Sequence, residues 1–448
     1  MTDLHDLCKF TKRPLTEEYV DNLKYYLKNG IPSTYTVEEA YNFENGKEDE
    51  ETTSNTTPLH LICRHIPEDC TEEEIAIASK MVEILLEYGA GWCLVDSDEN
   101  TPGCILIKRN LKKLPIYTQI VQAGVRAELL LRKVEEIEFV DEEDYLHDVE
   151  VNGEEVPELV EESSEVVEKS VEEPQPVEES VEESVEESVE KPVEQPVEAI
   201  DPYANDPATN QETYLKTKLE YKDGALVTKE NKDGVMMEWE SELMRMGSDS
   251  LFKGVPEDAE EKKEDDMVVL NIGFGMGIID TMIQSKKPTK HYICEAHPDV
   301  LAKLKRDGWY EKPNVVILEG RWQEQLTKLL SDGNVFFNGI YYDTYSEHYS
   351  DMLDLFDFVV GLLKPHGVFS FFNGLGADRQ VVYEVYKELV EMDLNNYGLD
   401  CKFTEYEVPK ETMQAPNNPQ PESVWDDIKR SYWSCPVYYH PEARFMEY

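Results

Sequence analysis

A glycine-rich run, Gly273-Phe274-Gly275-Met276-Gly277, and two acids that follow apolar stretches, Glu295 and Asp343, are residues whose types and spacing could support chemistry. Glycines at the end of a strand let backbone approach a ligand closely and leave the amides of the next helix free to face it. Glu295 stands twenty residues beyond Gly275, where an acid meets ribose hydroxyls in nucleotide-binding βαβ units. Position 278 is isoleucine, so the last glycine of the dinucleotide fingerprint is missing and a nicotinamide cofactor is disfavoured. Together the turn and the acid predict an adenosine-containing cofactor. Asp343, within Tyr341-Tyr342-Asp343-Thr344-Tyr345-Ser346-Glu347, falls at another strand end. It reads either as an acid facing the reactive end of such a cofactor or as a helix N-cap. The upstream stretch Val235-Met236-Met237-Glu238-Trp239-Glu240 could fold over a pocket, though methionine and tryptophan together are commoner in cores.

These residues need a frame. Buried-strand runs occur at 268–272, 291–294, 315–318, 337–342, 368–372, 402–408 and 437–440, separated by helical stretches that begin near Met276, after Pro298 and near Gln323. Such alternation predicts a doubly wound, seven-stranded α/β sheet over 205–448, with its ligands beyond the carboxyl ends of the strands.

The remainder differs in kind. Residues 133–204 are expected to be an acidic, disordered linker. Between 151 and 200 there are 18 acids against Lys169 and Lys191, no aromatic residue, and a Val-Glu-Glu-Ser unit repeating from Val177. So little apolar surface does not offset the entropy of ordering. Before it, Thr57-Pro58-Leu59-His60 opens an apolar-periodic run, and a second run from Met81 to Tyr88 ends at Gly89. A second Thr101-Pro102 follows 44 residues after the first. This pattern resembles ankyrin repeats with an insertion around 67–74, and two or three degenerate all-α repeats are expected over 15–132, behind an N-terminal tail of 1–14. His60 is then a turn-stabilising residue. Repeats of this kind bind and carry no chemistry.

The formal net charge is -52, which repels nucleic acid and favours a basic protein partner. The eight cysteines show no zinc-type spacing, so no metal is expected. Met1–Lys12 lacks the apolar core of a secretory signal, and no run approaches the ~18 apolar residues of a membrane span. A monomer of the cytoplasm and nucleus, away from membranes, is expected.

On the stretches at 235–240 and 273–280, with Glu295-Ala296-His297, Gly320-Arg321-Trp322-Gln323 and Tyr342-Asp343-Thr344-Tyr345, residues from about 211 onward resemble the guanidinoacetate methyltransferase family. The whole architecture resembles the fungal and plant arginine N5-methyltransferase (type IV) family, in which degenerate ankyrin repeats precede the same catalytic domain. The resemblance implies S-adenosylmethionine as cofactor and a ribosomal large-subunit protein as substrate. It also implies that Phe274, Gly275, Met276, Gly277, Ile278 and Ile279 wrap the cofactor, and that Glu295 takes the ribose, with Ala296 and His297 on the adenine side. Trp322 and Gln323 would close over adenine, and Met236, Tyr214 and Met244 would cover the sulfonium end. Asp343 and Glu240 would hold the guanidine. Two positions depart from the creatine-forming pattern: Asn271 replaces an acid, and Gly374-Leu375-Gly376 replaces groups that would hold a small carboxylate substrate.

A guanidinium with a pKa above ~12 has no free lone pair, so two carboxylates that grip it bidentately and accept its proton suit the transfer. Asp343 is expected as base and Glu240 as second clamp, with the internal δ nitrogen of arginine methylated. Two other functions stay open: methylation of a free guanidino compound, or a non-catalytic scaffold.

Overall fold

The structure is a computed structural model that describes residues 3–47, 52, 54–137, 206–222, 224–253, 267–410 and 424–447. The chain divides into one unit of Met1–Leu130 with Tyr203–Tyr448 and a second of Leu131–Pro202. Beyond Ile137 the acidic stretch lies outside the described residues.

A small antiparallel sheet comes first in the C-terminal half: β1 (Leu219–Lys222), β2 (Ala225–Thr228) and β3 (Gly234–Met237), in that order. The large sheet contains β4 (Val268–Ile272), β5 (Lys290–Glu295), β6 (Val315–Glu319), β7 (Phe337–Tyr342), β8 (Leu363–Phe371), β9 (Leu399–Glu407) and β10 (Val437–Phe445). Its order is β6-β5-β4-β7-β8-β10-β9. Pairs from β6 through β8 are parallel, and β10 runs antiparallel to both β8 and β9. This is the Rossmann-like fold of methyltransferases with the expected seven strands.

Strand periodicity builds the two cores. Val269, Ile293 and Tyr341 enter one cluster with Ile279, Ile283, Val300 and Leu304. Their neighbours Leu270, Cys294, Ile340 and Tyr342 enter the other with Leu326, Leu355, Phe356 and Val359. Adjacent strand residues point to opposite faces, and helices cover both.

Several boundaries differ from expectation. The first helix of the sheet begins at Ile278, not Met276, because Gly277 is in the left-handed region at φ 78° and caps it. β8 starts at Leu363, with an irregular register opposite Phe337 and Gly339 that absorbs Pro365-His366-Gly367. β10 runs through Pro441, whose carbonyl accepts from Ser370 Oγ at 2.7 Å. The stretch 235–240 before β4 contributes to β3 of the small sheet.

The N-terminal part of the first unit is all helical. Thr57 caps the helix Pro58–His65, and His60 is fully buried. His60 Nδ1 accepts from the Thr57 amide (3.2 Å), while Nε2 faces the carbonyls of Leu94 (3.0 Å) and Asn100 (3.1 Å). The side chain therefore pins the loop before the next Thr-Pro, the turn-stabilising role expected of it. Gly89, at φ 84°, follows the helix Glu72–Glu87 as expected of a C-terminal glycine. Residues 3–14, within the expected N-terminal tail, pack on the fold. They form the helix Asp3–Leu7 and bury Leu4, Cys8 and Phe10.

This helical part shares one apolar core with the sheet domain, through Val381, Val382, Val385 and Leu389 of the helix Gln380–Asn396. A Cβ at Gly103 would lie 2.7 Å from Val381 Cγ2, and one at Gly124 2.6 Å from Val385 Cγ2, so glycine is needed for that close approach. Tyr117 Oη donates to Glu384 at 2.8 Å across the same seam.

Candidate active site

Beyond the carboxyl ends of β4, β5 and β7 lies a cavity of about 620 Å³. Glu295, at the tip of β5, is buried against it. One carboxylate oxygen accepts the Phe274 amide (2.9 Å) and the other the amides of Ala296 (2.8 Å) and His297 (2.7 Å). Burial raises its pKa, and those amides oppose the rise. The Gly275 amide acts on it in the same sense.

Gly273 and Gly275 form the wall beside it. Gly273 is at φ 93°, and a Cβ there would come within 1.8 Å of the Asp343 carbonyl. Its lack of a side chain lets the ends of β4 and β7 meet, as the Asp343 amide bond to the Ile272 carbonyl (2.9 Å) requires. Met236 lies over Gly275 and accepts the Met276 amide on its sulfur at 3.2 Å. Tyr214 packs between His297 and Tyr345, with ring centroids 4.8 Å from each. Trp322 lines the opposite side.

The expected cofactor residues thus divide. Tyr214, Met236, Gly275, Glu295, Ala296, His297, Trp322 and Asp343 line this cavity. Phe274, Met276, Gly277, Ile278, Ile279, Met244 and Gln323 are not among the residues that line it. Phe274 points into the core and packs edge-on against Trp309 at 5.2 Å. Ile279 and Met244 are in that same core, and Gly277 caps the helix. The turn contributes backbone, and its apolar side chains hold it from behind.

A second cavity, of about 1020 Å³, opens next to the first and shares Val235, Asp343, Thr344, Tyr345 and Glu347 with it. Glu240 lines it and is 2% exposed. Its carboxylate accepts the Tyr432 hydroxyl. Tyr432 is held by Trp239 (6.3 Å, stacked) and Trp425 (4.9 Å, edge-on). The segment carrying it is pinned by an Arg430–Asp206 ion pair of 2.9 Å. Burial, then the charge of Asp343, pushes Glu240 well above the ordinary carboxylate range, against the pull of the Tyr432 bond. Asp343 is pushed up to about 7, first by burial and then by Asp280. Its Oδ2 is enclosed and has no hydrogen-bond partner among the described residues. Two carboxylates therefore face one cavity, and one of them also faces the other cavity. A planar cation with N–H donors would satisfy both.

A family model of guanidinoacetate N-methyltransferase matches residues 232–415. A relative from Debaryomyces hansenii named protein arginine N-methyltransferase 2 is 65% identical, with all of both chains covered. One of the same name from Saccharomyces cerevisiae is 48% identical over 99% of this chain and all of its own. The chain belongs to the protein arginine N-methyltransferase 2 family.

S-adenosylmethionine is the cofactor of this methyltransferase, and the first cavity suits it. Glu295 can accept a ribose hydroxyl, the bare Gly273–Gly275 backbone admits close approach, and Tyr214 and Trp322 offer aromatic surface.

Several site residues went unassigned in the sequence. Glu347 follows β7, and its residue type alone marks no role. Tyr432 lies outside the matched 232–415, and nothing near it in sequence marks it. Arg321, whose Nε is buried without a partner among the described residues, lines the cofactor cavity.

Proposed function

We propose that this protein transfers a methyl group from S-adenosylmethionine to the internal δ nitrogen of an arginine side chain in a basic protein. What carries the reading is the placement of Asp343 on the wall common to both cavities, with Glu240 facing it across the second. S-adenosylmethionine supplies an electrophilic methyl. Asp343 and Glu240 bind the guanidinium through charge-assisted hydrogen bonds, which turn the δ nitrogen toward the cofactor cavity and concentrate electron density on it. As the nitrogen–carbon bond forms, the sulfur–methyl bond would break with the sulfur leaving as a neutral thioether, and the δ N–H proton would pass to Asp343 Oδ2. Tyr432 donates to Glu240 and keeps that carboxylate turned into the cavity.

The second cavity has no lysine or arginine among the described residues lining it, so a free carboxylate substrate such as guanidinoacetate meets no fixed cation of that kind there. Gly374 and Leu375 occupy the adjacent rim. This favours arginine within a polypeptide. The -52 charge suits a basic substrate, and a ribosomal large-subunit protein is the class to test first. In this reading the N-terminal helices are degenerate ankyrin repeats that help to capture it.

The test is a labelled-cofactor reaction on ribosomal protein extract, with guanidinoacetate in a parallel reaction, followed by fragmentation mass spectrometry. Label on the δ nitrogen of a protein arginine is the expected result. Label on a terminal nitrogen, or turnover of guanidinoacetate alone, would overturn the reading.

A further inference from the structure

Glu347, four residues past Asp343, takes no part in the chemistry above, yet its carboxylate collects four donors. One oxygen accepts Trp322 Nε1 (2.8 Å) and Gln211 Nε2; the other accepts the hydroxyls of Tyr342 and Thr344. With about four lone-pair sites on a carboxylate, none remains for a substrate or cofactor. The donors come from two places. Tyr342 and Thr344 flank Asp343 in the chain, whereas Trp322 and Gln211 line the cofactor cavity. Glu347 itself borders both cavities.

We propose that Glu347 is a positioning residue: it clamps the Asp343-bearing turn to the wall of the cofactor cavity and so aims Asp343 along the line of methyl transfer. This rests on Asp343 being the base. Among the described residues, the Asp343 amide bonds to the Ile272 carbonyl of β4, while its Oδ2 is unpartnered. Tyr345 adds a ring contact to Tyr214 on the same wall. A misplacement of ~1 Å in a reacting group costs ~10²-fold in rate, so a clamp of this kind acts on turnover before it acts on binding.

The experiment is steady-state kinetics on the full-length chain with saturating cofactor and protein substrate. Glu347→Gln places an amide N–H₂ where two donors converge. It is expected to lower kcat by about 10- to 100-fold and leave the substrate KM within about threefold. Trp322→Phe removes the donor on the cofactor side. If both changes act on one clamp, the double variant loses much less than the product of the single losses. Should Glu347→Gln fail to fold, Thr344→Val and Tyr342→Phe each delete one donor and are expected to give smaller losses in kcat. Unchanged kcat at saturation in the folded variants, with effects confined to cofactor KM or melting temperature, overturns the proposal. An inactive Asp343→Asn beside a fully active Glu347→Gln sinks the clamp alone, whereas a fully active Asp343→Asn sinks the base assignment and the clamp with it.

Discussion

Asp343→Asn is expected to make the cofactor-free protein more stable at neutral pH while abolishing methyl transfer. Burial, then the charge of Asp280, raises the Asp343 pKa from its ordinary 3.8 to about 7. The folded protein therefore holds this proton more tightly than the unfolded chain does. Stability from the group is full below about pH 4 and is lost as pH rises toward 7, after which the deficit is constant. At about 1.4 kcal/mol per pH unit, the ionised carboxylate costs up to about 4 kcal/mol above pH 7. An isosteric amide removes the charge and its repulsion with Glu240 but still leaves a buried polar group, so about 2–4 kcal/mol is the expected gain. For a unit of this size that is a rise of about 2–5 °C in melting midpoint. The assay is thermal unfolding of both proteins without cofactor at about pH 8 and about pH 5. The midpoint gap should be wide at the higher pH and shrink by more than half at the lower. A variant that melts at or below the wild-type temperature at pH 8, or a gap that is independent of pH, would refute the electrostatic account of this site.

Because kcat/KM reports ionisations of the free protein, it should rise with pH through about 7 as Asp343 loses its proton, and the pH–rate profile of Asp343→Glu should move its acidic limb. Glu240→Gln should lower kcat/KM by about 10²–10⁴-fold with cofactor affinity, measured by calorimetry, within a few fold of wild type. Gly273→Ala puts a Cβ 1.8 Å from the Asp343 carbonyl at a φ of 93°, so it should abolish cofactor binding or reduce soluble yield, read by equilibrium dialysis. Deleting residues 1–130 strips the cover from Val381, Val382, Val385 and Leu389, and the remaining chain should aggregate or melt far lower in light-scattering and calorimetry scans.

The strands of the large sheet and the acids at their tips were legible because buried parallel strands read as continuous apolar runs, and ligand-facing residues follow them in the chain. The run 268–272, Glu295 and Asp343 sit where that logic puts them. Boundaries marked by backbone conformation were less legible. The start at Ile278 depends on a left-handed glycine cap, and the passage of β10 through Pro441 depends on its neighbours.

Alone, then, the sequence determined the α/β sheet, the glycine turn, the acids and the acidic balance of the chain, since these follow from local periodicity and residue type. Only the tertiary structure decided that Phe274 and Ile279 support the turn from the core, that Tyr432 reaches Glu240 from the far C-terminal segment, and that Glu347 gathers donors from separate elements. It also decided that the N-terminal helices and the sheet domain share one core. Each of these depends on which surfaces meet when distant segments pack, and distance in space between such segments is not encoded in any local pattern.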